Sequence, residues 1–220
     1  MSELLTDATE YPPEPWFLGG DFAVGVFVVP AADLPDDLWH AVPAGARPIR
    51  ISGRVVVGVA AARYTPGGVL AYDELLVAIP VLRRGRPAVW IPQIWVTSAV
   101  SQAGGRTLWG IPKERMAAVR EVRGRRLSAS FADVDGGPIA SLEASAGTRM
   151  PGTWLLPLPT LQRGAGGGVI RSRNRITGTL RLARTSWSFD GPLRWLAGRR
   201  PLVSVAIVRA AVVFGAHVER

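Results

Sequence analysis

Glycine and proline cut this chain into short apolar runs, and that punctuation constrains the fold more than any other feature. Residues 22–29 (FAVGVFVV), 50–62, 70–82 and 88–96 (AVWIPQIWV) are rich in β-branched and aromatic residues and read as strands. Thr65, Pro66, Gly67 and Gly68 form a turn signal that makes a hairpin of the second and third runs. Pro92 marks an edge, a bulge or an irregularity in the fourth. Residues 116–123, 127–132 and 139–146 are further short strands joined at Gly124 and at Gly136 and Gly137. Residues 175–189 alternate apolar and polar side chains, the period of a half-buried strand. Residues 203–214 close the chain as a strand pair or one long strand. Helical signals are few. They are residues 32–40 between prolines, a helix starting near Ser98 that Gly104 and Gly105 end or interrupt, and one turn at 192–197. The expectation is about ten strands and two or three short helices, a strand-dominated α+β domain that is barrel-like or built of two packed sheets. No regular βαβ alternation supports a Rossmann sheet or a TIM barrel. Residues 1–16 are acidic and proline-rich and read as an extended tail, leaving 17–220 as a single domain.

Composition narrows the chemistry. With no cysteine, a disulfide framework, a thiolate zinc site and a thiol nucleophile are excluded. The two histidines, His40 and His217, lie at opposite ends of the chain. The net charge is +9, but the arginines are dispersed and no nucleic-acid-binding motif accompanies them, so no nucleic-acid partner is expected. The apolar runs are too short to span a bilayer as helices, and the N-terminus has no export signal, so a cytoplasmic protein without a membrane partner is expected. The glycine-rich stretch 164–168 lacks the Gly-Lys-Ser/Thr and the following helix of a phosphate loop and reads as a turn.

Lysine plus arginine total 26, yet Lys113 is the sole lysine in the sequence. An arginine-biased chain that keeps one lysine invites the question of what arginine could not do there. Arginine stays protonated and is a poor nucleophile, whereas a lysine amine can attack a carbonyl. Lys113 follows Gly110, Ile111 and Pro112, a stiff or sharply bent approach that can aim a side chain inward. Held among Trp109, Ile111 and neighbouring strands, the amine is desolvated, which favours its neutral, nucleophilic form. The bland alternative is an exposed lysine paired with Glu114. Gln93 stands out as the polar residue among Trp90, Ile91, Ile94 and Trp95, and is either a pocket residue or an outward-facing strand position.

The stretch 105–114, GRTLWGIPKE, resembles the Schiff-base lysine signature of the acetoacetate decarboxylase family. Upstream, Tyr72-Asp73-Glu74 followed by Ala78-Ile79-Pro80-Val81 is similar to the family's Tyr-x-Glu and Ile-Pro-Val elements, with matching spacing to the lysine. Residues 186–196 (SWSFDGPLRWL) resemble its C-terminal third. The resemblance implies an acetoacetate decarboxylase-like barrel of antiparallel strands with a few short helices, no cofactor, no metal and a homo-oligomer. It makes Lys113 the Schiff-base nucleophile and Glu74 the catalytic carboxylate. Tyr72, Gln93, Trp95 and Trp109 are expected to bind substrate. Where the family has a second lysine, this chain has Glu114. The family's pocket arginine falls near Phe27 and Val28, and its second glutamate near Gly58 and Val59. A more apolar pocket and a less charged carbonyl substrate than acetoacetate are therefore expected. The implied activity is a lyase acting through a lysine imine, by decarboxylation or by aldol-type condensation and dehydration. Two alternatives remain open: a cyclase or isomerase of an apolar metabolite without a Schiff base, and a ligand-binding protein without turnover.

Overall fold

The computed structural model describes residues 10–164 and 166–220. Thirteen strands form one sheet. They are β1 (Trp16–Pro30), β2 (Ala46–Pro48), β3 (Arg50–Ile51), β4 (Arg54–Thr65), β5 (Tyr72–Arg83), β6 (Arg86–Val96), β7 (Lys113–Arg123), β8 (Arg126–Asp133), β9 (Pro138–Arg149), β10 (Trp154–Pro157), β11 (Thr160–Arg163), β12 (Val169–Phe189) and β13 (Val203–Glu219). Two α-helices, α1 (Asp36–Ala41) and α2 (Ala99–Trp109), and 3₁₀ turns at Ala31–Asp33 and Gly191–Leu196 complete the described elements. No described helix is long and apolar enough to cross a membrane.

The ladder closes on itself. It runs β6, β7, β8, β9, β12, β13, β1, β4, β5 and back to β6, while β11 bridges β6 and β12 across the ring. The strand-dominated architecture expected from the punctuation is present, but the sheet is mixed rather than wholly antiparallel: β6–β7 and β11–β6 are parallel pairings. The reason for the first is α2. It carries the chain back between β6 and β7, the kind of crossover that parallel neighbours require. The hairpin at residues 65–68 is present between β4 and β5. Pro92 sits at the irregularity in β6, where Val77↔Gln93 is followed by Ile79↔Trp90.

Strands β1, β4 and β5 are buried on both faces, which is why they read as nearly continuous apolar runs. One face carries Phe27, Val57, Leu75 and Val77, packed with Phe131, Leu142, Phe189 and Leu193 in the larger core. The other carries Trp16, Phe22, Ala62, Tyr64 and Tyr72, packed with Ile94, Ile111, Ile207 and Val212. Each fully buried side chain of this size contributes about 1.5–3 kcal/mol. The expected tail falls largely outside the described residues. Of its last members, Tyr11 packs against the second cluster and Trp16, at 1% exposure, opens β1.

Helix α2 does not stop at Gly104 and Gly105. Ser98 caps its start, its hydroxyl oxygen accepting from the Ser101 amide at 3.2 Å. The helix passes through both glycines and ends at Gly110, whose φ of 64° is the left-handed conformation of a C-terminal cap.

Candidate active site

The bend that ends α2 sets Lys113 at the first position of β7, beside Ile94 of β6. Two donors hold the Lys113 carbonyl: Arg106 Nε at 2.7 Å and Gln102 Nε2 at 3.2 Å. The side chain then runs inward past α2. A Cβ at Gly105 would lie 2.6 Å from Lys113 Cδ, so the helix glycine makes room for the lysine stem. Successive strand residues point to opposite sides. Glu114 therefore faces out, where Arg106 Nη2 donates to it at 2.6 Å. It does not meet the Lys113 amine.

Lys113 is 4% exposed, and so is Glu74. Lys113 Nζ donates to Glu74 Oε2 at 3.0 Å and to Ser101 Oγ at 2.9 Å, and lies 3.4 Å from the Tyr72 hydroxyl. The Tyr72 and Tyr64 hydroxyls donate to the two Glu74 oxygens at 3.3 and 3.4 Å. Burial, followed by the charge of Glu74, pushes both tyrosine hydroxyls well above their ordinary range. They stay protonated and serve as donors to the carboxylate. Register places the group: Ala62 pairs with Glu74 and Tyr64 with Tyr72 across the β4–β5 hairpin.

Lys113, Glu74, Tyr64 and Tyr72 form one polar corner of a cavity of about 270 Å³. Its remaining wall is apolar, with Phe22, Leu76, Ile91, Ile176, Val212 and Phe214 among its members. Trp109 belongs to the wall. Its ring meets Trp16 edge-on at a centroid distance of 4.8 Å, and its Nε1 donates to Glu14 Oε2 at 2.9 Å.

The structure brings Lys113, Glu74, Tyr72 and Trp109 together, but not Gln93 or Trp95. Trp95 pairs with Leu75 and Gln93 with Val77, and both of those β5 residues face the larger core. Register therefore turns Gln93 and Trp95 away from the cavity. Gln93 Nε2 donates to the Pro192 carbonyl at 3.1 Å, and its Oε1 accepts from Trp195 Nε1 at 3.2 Å, so it fastens a 3₁₀ turn to β6. Sequence reasoning missed Tyr64 and Ser101. The two-residue period 60, 62, 64 opposite Glu74 and Tyr72 is a signal that could have found Tyr64. Ser101 had none beyond its place in the first turn of α2.

A buried amine within 3 Å of one carboxylate, at the end of an apolar cavity, can exchange a proton locally and attack a carbonyl carbon. The sequence pattern of the acetoacetate decarboxylase family matches residues 10–158. No curated protein matches the chain in sequence. Among solved structures, an acetoacetate decarboxylase from Legionella pneumophila is similar with a TM-score of 0.71 at 16% identity, covering 99% of this chain and 94% of that one. The enduracididine biosynthesis enzyme MppR complexed with pyruvate gives a TM-score of 0.67 at 18% identity, covering 98% and 93%. MppR complexed with the condensation product of pyruvate and imidazole 4-carboxaldehyde gives 0.63 at 17% identity, covering 98% and 92%. The likeness in fold spans nearly the whole chain, and the sequence match takes in the strands that carry Glu74 and Lys113; the chain belongs to the acetoacetate decarboxylase family.

Proposed function

We propose that this protein is a lyase-type enzyme that binds a carbonyl substrate as an imine on Lys113. The observation that carries the reading is the contact of Lys113 Nζ with Glu74 Oε2, 3.0 Å long and buried at the wall of the cavity. At rest the pair is ammonium and carboxylate. Glu74 takes a proton from the ammonium, and the freed amine adds to the carbonyl carbon. The resulting hydroxyl leaves as water with the proton that Glu74 held, and the iminium stands against the restored carboxylate. The iminium withdraws electrons from the adjacent carbon, and an enamine forms when a proton or a carbon substituent leaves that carbon. Decarboxylation and aldol-type condensation with dehydration both pass through this pair of species. A condensation product bound to a structural neighbour supports the second outcome. In the family, as the resemblance implies, a neighbouring cation activates the lysine. Here that neighbour is Glu114, turned outward, so Glu74 has to remove the ammonium proton itself.

The experiment is reductive trapping. Wild-type protein is incubated with ketones and aldehydes, reduced with borohydride, and mapped by peptide mass. The expected result is a stable adduct on Lys113 that is lost in Lys113→Ala and Lys113→Arg. A folded wild type that forms no adduct with any carbonyl, together with a Lys113→Ala variant that keeps its activity, would overturn the imine. The second reading, a cyclase or isomerase that uses the same pocket without a Schiff base and in which Lys113 is a dispensable hydrogen-bond donor, would then stand. Its support is that the amine already makes two short donor contacts at rest.

A further inference from the structure

Building on the imine reading, we infer that the substrate is an uncharged ketone or aldehyde with a hydrocarbon body, and that the site removes a proton beside the carbonyl rather than expelling carbon dioxide. The first argument is charge balance. Among the described residues, Lys113 is the one cation and Glu74 the one anion lining the cavity. A neutral carbonyl leaves that balance intact, because the iminium replaces the ammonium opposite Glu74. A keto acid adds a second negative charge. The nearby charged groups are turned elsewhere. Asp73 lies on the other side of β5 with Arg120 at 3.6 Å, Arg106 holds Glu114 outside, and Glu14 is engaged by Trp109 and Arg220. Among the described residues, the cavity offers an extra carboxylate no cation besides Lys113, which already faces Glu74, and its remaining wall, Leu76, Ala78, Ile91 and Val212 included, is apolar; an unpaired buried charge is strongly disfavoured.

The second argument is room. The cavity measures about 270 Å³. At about 30 Å³ for a water's share of liquid volume, that is space for about nine non-hydrogen atoms. The third is proton traffic. Glu74 already holds the proton-exchange position beside Nζ, and two protonated tyrosine hydroxyls steady it. In the iminium state the carboxylate takes a proton from the carbon next to the former carbonyl, giving a neutral enamine and a protonated Glu74. Return of a proton to that carbon restores the iminium, and water then releases the carbonyl compound and the amine. No further reactant is needed for the exchange.

The test pairs 2-hexanone with 2-oxohexanoate, which share a chain, both fit the cavity, and differ by a methyl group in place of the carboxylate. Wild-type protein is titrated with each, reduced with borohydride, and read at the Lys113 peptide. The ketone is also incubated in deuterium oxide. The ketone should label Lys113 at a concentration roughly tenfold or more below that needed for the acid, although the acid's carbonyl is the more electrophilic. Deuterium should enter the carbons flanking the ketone with wild type and not with Lys113→Ala. Labelling by the acid at an equal or lower concentration overturns the neutral-substrate inference and leaves the imine reading standing. Labelling by the ketone without deuterium exchange overturns the proton-removal step. Labelling by neither compound overturns this inference, and the imine reading falls with it only if the wider set of ketones and aldehydes also leaves no adduct on Lys113.

Discussion

A methyl group on Gly105 would lie 2.6 Å from Cδ and 2.8 Å from Cε of Lys113. That residue belongs to a helix, where alanine is intrinsically better than glycine by about 1 kcal/mol. Local helix energetics therefore favour Gly105→Ala, and the lysine side chain opposes it. The lysine stem is flexible, so it gives way and its amine moves off the line to Glu74 and Ser101. A displacement of about 1 Å in a reacting group can cost about 10²-fold in rate. Gly105→Ala should unfold in urea within about 1 kcal/mol of wild type, while imine formation slows by one to two orders of magnitude. Unchanged trapping kinetics would show that the close approach is not what sets the amine's position. Position 105 also explains a misreading. Two adjacent glycines signal a helix end when propensity is the sole guide, and here they are helix interior because a tryptophan and a lysine pass close to them.

At the level of strands and helices, the parity of β5 and β6 decides which residues line the cavity. Tyr72, Glu74, Leu76 and Ala78 share the cavity face, and Leu75, Val77, Ile79 and Val81 share the core face. The hairpin signal, the strands and the Lys113 segment were legible because turn chemistry and β-branched runs are local properties of sequence. The pocket side of β6 was not legible, because both of its faces are buried and apolar and composition cannot separate them. Trp95 and Val96 differ in face through their pairing with Leu75 and Glu74, which no local pattern records. Gln93 looked functional for being polar in an apolar run, but its partners are a backbone carbonyl and an indole more than ninety positions away in sequence. Gln93→Ala should therefore cost about 1 kcal/mol in urea unfolding, the price of two lost hydrogen bonds, and leave Lys113 trapping unaltered. If instead it abolished trapping at unchanged stability, the assigned face would be wrong. The parallel β6–β7 pair was equally hidden, since the crossover that makes it is an ordinary short helix until its two ends are located in space.

For the molecule as a whole, the ring of strands buries two tyrosines whose ionisation is linked to folding. Tyr64 and Tyr72 have hydroxyls raised above the ordinary value of 10.0, by burial first and by Glu74 second. Below that pH they carry their protons in the folded and unfolded chains alike, and their contribution to stability is complete. Above it the unfolded chain releases protons that the folded chain keeps, so stability falls as pH rises. The loss is about 1.4 kcal/mol per pH unit for each tyrosine. Urea unfolding followed from pH 9 to 11 should show this decline in wild type and a shallower one in Tyr64→Phe. Equal slopes would place the Tyr64 hydroxyl in contact with solvent. The sheet that holds these tyrosines has a further property as material for evolution. Neighbouring letters of β5 answer to different judges: odd positions are screened by how the core packs, even positions by the shape and polarity of the cavity. A lineage can rewrite the even letters and acquire a new reaction while the scaffold reads the same.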